Sequence, residues 1–595
     1  MLSYVRPGIW SLTTALCAAV LSAQNNPLPD PIVFGDITVE VEDWLTAPAT
    51  NSGSPRARLS VMKPAYDGSE RIFVCDLNGP MYAFNGDART TYLDLTVELP
   101  NFINTPRLGT GFHSFAFHPQ FATNGKFYTA HTEPAGSGVA DFVNPIGETP
   151  AVQSVILEWT ASNPLANTFS GTRREVMRIE YARFVHNVQD IAFNPFATAD
   201  HEDYGLLYIC VGDGEAVAGE APTSAHRLDS VNGTLVRIDP LGTNATNGRY
   251  GVPATNPFVN DGDAATLGEI YAWGFRNPHR IAWDPANADR LFLFDIGERN
   301  GEEINLIQAG GDYGYSSREG TFVLQPEVDP DTVLPLPAND AEFGYIYPVA
   351  WYDHDEGRAI AGGQVYRGEK VPQLQGKLVF GDIVNGRVFY VDADSLTLGA
   401  QAEIKELRLT HNGTNRTLLQ RVAASRTDLR FGTDEAGELY FTTKQDAKIR
   451  KVKANNLPEV GEGAIANIAT RAYAGTADET LTGGFVIRDQ PRRVLIRGVG
   501  PALAGFGVTG TMADPKISVI PSGGTTAIFA NDNWGDSSQA TEIASAAAAL
   551  GAFGLADGSA DAAIIATLSP GAYTVQLTGA DGGSGVALIE VYEVR

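Results

Sequence analysis

Ile281-Ala-Trp-Asp-Pro285, followed after a short turn by Arg290-Leu-Phe-Leu-Phe294, decides how this chain is read, because the same pattern returns elsewhere in it. Phe115-Ala-Phe-His-Pro119 leads to Gly125-Lys-Phe-Tyr-Thr129, and Ile191-Ala-Phe-Asn-Pro195 leads to Tyr204-Gly-Leu-Leu-Tyr-Ile209. Leu429-Arg-Phe-Gly-Thr433 leads to Gly437-Glu-Leu-Tyr-Phe441. Each copy reads as a strand, a turn with Pro or Gly, and a second, aromatic strand. Arg71-Ile-Phe-Val74 and Met81-Tyr-Ala-Phe84 form a similar pair near the start. Several copies continue into a third strand, as in Gly233 to Asp239, Gly386 to Asp392 and Ala447 to Val452. No amphipathic helix of ordinary length interrupts residues 56–453. Multi-strand units spaced too widely for a solenoid predict an all-β fold, a β-propeller of about six blades. An array of large β-sandwiches is the alternative.

The 595 residues are too many for one core, so a second domain is expected. Residues 454–464 read as a linker, and 465–595 as a small C-terminal β-sandwich with an Ala-rich helix between 540 and 551. That domain carries no catalytic constellation and reads as an accessory or surface-association module. At the other end, residues 1–23 have the Arg6, apolar run and Leu21-Ser22-Ala23 of a secretory signal peptide, and 24–55 form an N-terminal arm. A secreted, periplasmic or cell-surface location follows, with no integral membrane segment once the signal is cleaved. The net charge of -27 repels phosphate backbones, which argues against nucleic-acid partners. Cys75 and Cys210 lie in apolar strands, either as a disulfide or as two buried thiols.

No P-loop, dinucleotide fingerprint, Cys-x-x-Cys, zinc-protease helix or nucleophile elbow is present. Candidate chemistry therefore falls to residues at strand ends. His186, in Phe184-Val-His-Asn187, directly precedes a strand, where a neutral imidazole could take a proton from a substrate hydroxyl. A histidine bonded to a neighbouring loop fits the position equally. In Ala272-Trp-Gly-Phe-Arg-Asn-Pro278, Arg276 and Asn277 face a loop of glycines and acids, Gly297-Glu298-Arg299-Asn300-Gly301. Arg276 is either a ligand-binding cation or a structural tie between strand ends.

The ordered set Ala116-Phe-His-Pro-Gln-Phe121, Asn124-Gly-Lys-Phe-Tyr128, His186-Asn187, Val211-Gly-Asp-Gly214, Gly274-Phe-Arg-Asn-Pro278, Glu302-Glu-Ile-Asn-Leu-Ile307 and Gly311-Asp-Tyr-Gly-Tyr315 resembles the soluble quinoprotein glucose/sorbosone dehydrogenase family. The resemblance implies a six-bladed propeller that oxidises an aldose or related polyol with pyrroloquinoline quinone (PQQ) and Ca2+, passing electrons to an external acceptor. It implies that His186 is the base, that Arg276 stabilises oxyanion character on the quinone, and that Asn277 contacts the cofactor. It gives Ca2+ to the backbone carbonyls of Gly297 and Glu298. Some positions depart from the family pattern. Val185 precedes the base where a carboxylate is usual, and Thr110 stands at the pocket edge. The cofactor-binding lysine falls near Val384, with Arg387 as stand-in, and Ser425-Arg426-Thr427 keeps one arginine of a pair. The contrasting expectation is a propeller without redox activity that binds a glycan or a protein. A hydrolase or lactonase using a central cation is a third.

Overall fold

The computed structural model describes residues 24–106, 109–144, 149–214, 225–325, 328–329, 331–455, 467–475, 479–487 and 492–594. The expected signal segment and nearly all of the expected linker lie outside the described residues. The chain divides into two compact units, 1–459 and 460–595.

In the first unit, most strands fall into six runs of four, while Arg318–Glu319, Phe322–Leu324 and Val333–Pro335 form a separate three-stranded sheet and Thr414–Asn415 pairs off the path with Lys405–His411. Each run begins with a short strand: Leu59–Pro64, Phe112–Phe117, Val188–Phe193, Pro278–Asp284, Ile360–Val365 and Leu429–Thr433. The repeat motifs at 115, 191, 281 and 429 lie in four of these first strands, and their partners are the second strands of the same sheets. The pair at 71 and 81 forms instead the second and third strands of its sheet.

Every residue of Phe112–Phe117 and of Val188–Phe193 is buried. That explains near-continuous apolar strands in antiparallel sheets, where one wet face would give alternation. Both faces are covered because six hydrophobic clusters join successive sheets. Ile156 packs with Ile209, Cys210 with Leu293, and Phe292 with Phe380. Val379 packs with Phe441, Tyr440 with Tyr82, and Phe73 with Phe127. The cycle thus returns from the sixth sheet to the first. All six first strands also line one cavity of about 350 Å³, through Met62, Phe117, Phe193, Trp283, Val365 and Phe431.

Within the segment read as an arm, Phe34–Thr46 is a strand. It pairs antiparallel with Lys448–Ala454 and so completes the sixth sheet, while pairing parallel with Lys405–His411 of the fifth. Helices of this unit are single turns, such as Leu418–Val422 with its Thr417/Gln420 capping box.

Cys75 and Cys210 are both free and buried. Burial pushes the Cys75 thiol up to about 12 and Cys210 well above its ordinary value, so neither offers a thiolate.

In the second unit, two antiparallel four-stranded sheets share one core, with Val494, Ile496 and Ile589 from one sheet meeting Ile517, Val575 and Leu577 from the other. The Ala-rich stretch forms the helix Ala540–Ala549.

Candidate active site

Antiparallel order places the loop entering each first strand beside the loop joining its second and third strands. These loops meet in a closed circuit. Ala57 N–H donates to the Lys444 carbonyl, and Arg58 Nη2 to the Thr110 carbonyl at 3.2 Å. Asn187 Nδ2 donates to the Gly109 carbonyl, and Asp213 N–H to the Arg276 carbonyl at 2.8 Å. The Glu302 carboxylate accepts from Ile360 N–H at 2.7 Å, the Asp382 carboxylate from Ala359 N–H at 2.8 Å, and the Val384 carbonyl from Thr427 N–H at 2.8 Å. Every candidate residue therefore lies on one rim.

His186 has φ +52°, a left-handed conformation that costs a β-carbon-bearing residue energy and that clusters at functional sites. Its backbone is clamped: its carbonyl accepts from Gly214 N–H at 3.2 Å, and a Cβ on Gly212 would stand 2.3 Å from the same oxygen. The half-buried ring meets Asp213 at 2.8 Å from Nδ1 to Oδ1. A carboxylate can only accept, so Nδ1–H donates, and in the neutral ring Nε2 keeps its lone pair. This is the tautomer a proton acceptor needs. Replacing Asp213 with Asn is expected to lower turnover by about tenfold or more, because the amide can hold the wrong tautomer. It should also move the acid limb of the pH–rate profile; a profile identical to the wild type would refute the positioning role.

Arg276 sits in a nest of oxygens. Nη1 donates to the Gly297 carbonyl at 2.7 Å, and Nε to the Glu298 carboxylate at 3.0 Å. Tyr315 Oη donates to the same Glu298 oxygen. Burial works against the guanidinium charge, but Tyr315, Asp213, Glu298 and Glu319 outweigh it and raise its pKa. Beneath it, the Asp295 carboxylate accepts the backbone N–H groups of Arg276 and Asn277 at 2.9 and 2.7 Å, which fixes both residues at the rim.

Burial pushes Asp295 up to about 7 in spite of those bonds and of the Arg276 charge. A carboxyl raised from the ordinary value of about 3.9 binds its proton more tightly when folded, so its contribution to stability is lost as pH rises from about 4 to 7. Asp295→Asn is expected to flatten the urea midpoint across that window. An unchanged slope would show that the group does not titrate as placed.

Asn277 is buried with Oδ1 lacking a partner among the described residues, as an amide awaiting a ligand would be. Arg387 and Arg426 have other occupations. Arg387 donates to Glu406 at 2.7 Å, to Glu356 and to the Ile32 carbonyl. Arg426 is half-exposed and donates to Asp428 at 2.8 Å. Thr110 is buried with its hydroxyl on the Pro106 carbonyl, and Val384 N–H is taken by Asp382. His118 accepts from Gln120 N–H at 3.0 Å and is a turn residue. Sequence reasoning passed over Asp213 and Tyr315, although both stand in motifs it quoted, and over Glu319, Arg430 and Lys444.

Arg276, Asn277 and His186 with Asp213 fit an anionic, oxidisable ligand that needs a cation, an amide and a base together. For Ca2+ the donor chemistry also fits: the Gly297 carbonyl, the Glu298 carboxylate and Glu319 Oε2, which has no partner among the described residues, are hard oxygens. Here the Arg276 guanidinium already occupies the first two, so an ion would compete with it. No group of three or more His, Cys, Asp or Glu side chains is arranged for a metal among the described residues.

The HIPL1 protein of Arabidopsis thaliana is 26% identical over 435 residues, 64% of this chain and 59% of its own length. Aldose sugar dehydrogenase YliI of Escherichia coli is 30% identical over 254 residues, 42% of this chain and 58% of the enzyme. The human Hedgehog-interacting protein is 24% identical, with 63% of this chain matching 47% of that protein. The chain thus spans less than two thirds of the length of these curated relatives. Among solved structures, the PQQ-bound aldose sugar dehydrogenase of Streptomyces coelicolor is 18% identical, covering 70% of this chain and 98% of its own, with TM-score 0.45. Residues 62–451, well over half the chain, match the glucose/sorbosone dehydrogenase family, and the chain is a member of that family.

Proposed function

We propose that this protein is an exported sugar dehydrogenase: a six-bladed propeller whose rim binds pyrroloquinoline quinone and Ca2+ and oxidises an aldose or related polyol, followed by a β-sandwich that attaches it to a surface. Six runs of four strands in a closed packing cycle support the propeller. The observation that carries the activity is the His186–Asp213 pair, with Nε2 left as a proton acceptor at 14% side-chain exposure, on the same rim as Arg276 and Asn277.

When bound, the quinone supplies the two-electron acceptor for a hydride from the sugar carbon. His186 Nε2 takes the hydroxyl proton, and Asp213 stabilises the imidazolium that forms. Arg276 places fixed positive charge where negative charge develops; Glu298 and the Gly297 carbonyl orient it, and an ion held there would compete for those two oxygens. Gly297 and Glu298 would hold Ca2+, whose charge would polarise the ligand's oxygens. Residues 1–23 would direct export, and electrons would leave to an external acceptor. Among the described residues no helix is long and apolar enough to cross a membrane.

The second reading, a recognition propeller for a glycan or protein, is favoured by the ion pairs that occupy Arg387 and Arg426. Reconstitution of the purified chain with PQQ and Ca2+, followed by dye reduction across a panel of aldoses, separates the two. Saturable cofactor binding with sugar-dependent reduction supports the dehydrogenase. Binding without turnover of any aldose, or no binding at micromolar cofactor, refutes it.

A further inference from the structure

Three of the six first strands carry a basic side chain at their second position: His113, His279 and Arg430. Lys444 follows Leu439–Thr443, one step past the Leu429–Thr443 pair of the sixth sheet. Arg430 pairs with Thr442, and side chains two apart share a face, so Arg430 and Lys444 project from the same face of this hairpin. His279 belongs to the fourth sheet, with Arg430 and Lys444 close enough for their charges to act on its ring.

These groups are buried, with Arg430 7%, Lys444 9% and His279 5% exposed. Their partners do not match their charge. Arg430 Nη1 donates to the carbonyl of its neighbour Leu429, and its Nε has no partner among the described residues. Both ring nitrogens of His279 also lack one. Lys444 makes no side-chain hydrogen bond or ion pair among the described residues. Asp428 is the carboxylate beside them: it accepts from Arg426 and Gln445, and its single charge also faces Lys444 and Arg430, so one carboxylate is set against three cations. Burial and then the Arg280 charge push Arg430 down to about 9, while burial and Arg430 push Lys444 well below its ordinary value. Burial, then Arg280, Arg430 and Lys444, keep His279 neutral. Buried cations that outnumber their counter-charge are costly, and an anion placed among them relieves that cost. Arg387 and Arg426, by contrast, are already neutralised.

We propose that Arg430, Lys444 and His279 form an anion-binding floor that holds the carboxylates of a small planar polycarboxylate, in the part that resemblance gives to Arg387 and Arg426. The identity of that ligand as PQQ rests on the function proposed above; the anion site does not.

Calorimetric titration of the full chain with PQQ, and separately with benzene-1,3-dicarboxylate, tests it. Lys444→Met and Arg430→Gln are expected to weaken binding about tenfold or more, and Arg387→Gln and Arg426→Gln by about threefold or less. Lys444→Met should also melt at a higher temperature than the wild type without ligand, whereas a lysine serving the fold would melt lower. In the wild type the dicarboxylate must compete with PQQ, which requires no variant. Binding of the dicarboxylate but not of PQQ would keep the site and remove the quinone reading. Binding of neither, simultaneous binding of both, or undiminished binding by the two floor variants would overturn the proposal.

Discussion

His186→Ala is expected to lower sugar-dependent dye reduction by about 10²–10⁴-fold, the range that a positioned base contributes. The loss should fall on turnover rather than on cofactor binding, because Arg276, Asn277 and the basic floor are untouched. Folding should change little. The ring is half-buried and hydrogen-bonds Asp213, which also has its backbone N–H on the Arg276 carbonyl. His186→Gln makes a second probe, since it fills similar space and can still donate to Asp213 while offering no basic nitrogen. If either variant turned over sugar within a few-fold of the wild type, the proton would have to leave by another route, and His186 would be a loop residue held in an unusual conformation.

Arg276→Met carries the largest expected cost to the fold, about 3–5 kcal/mol, as when one partner of a buried ion pair is removed. The Glu298 carboxylate and the Gly297 carbonyl would lose their cationic donor, while Glu319 and Asp213 would lose the charge that balances them. Tyr315 would remain on Glu298 but cannot neutralise it. Arg276→Lys should recover part of the loss, since it restores charge but not the fork that reaches Glu298 and Gly297 together. Urea unfolding of the variants, followed by tryptophan fluorescence, provides the measurement. An Arg276→Met midpoint equal to that of the wild type would mean that the loop repacks without the guanidinium. Added Ca2+ offers a further comparison: an ion able to take the place of the lost charge at Gly297 and Glu298 should raise the midpoint of Arg276→Met more than that of the wild type.

The sheet repeat was legible because its signal is local. Ile191-Ala-Phe-Asn-Pro195 and Ile281-Ala-Trp-Asp-Pro285 show an apolar strand and its stop within five residues, and burial on both faces makes the pattern strong. Phe34–Thr46 gave no such signal as a sheet member, since its partners lie near residues 408 and 452 and nothing nearby in the chain announces them. The placement of the candidate residues was legible in a similar way. His186, Arg276 and Asn277 stand in compact motifs, and the structure brings them to one rim. Arg387 and Arg426 were chosen by position along the chain. What occupies them is set by Glu356, Glu406 and Asp428. Arg430 was in view from the start, inside the Leu429-Arg-Phe motif, but a basic residue in a strand looks like surface until the strand is known to line a channel.

The strand Phe34–Thr46 sets a timetable for the molecule's assembly. Glu40 faces Lys453 in the sixth sheet, more than 400 residues further along the chain. At about 5–20 residues per second, synthesis leaves the early strand without that neighbour for about 20–80 s. During that wait it is an unpaired edge, the kind of segment that recruits foreign strands. Glu40, Glu42 and Asp43 place like charges along it that oppose self-association, and Lys448, Arg450 and Lys453 later meet them as the ring closes. The last sheet is therefore stitched from the two ends of the unit, and a ribosome that stalls before residue 448 releases an open ring.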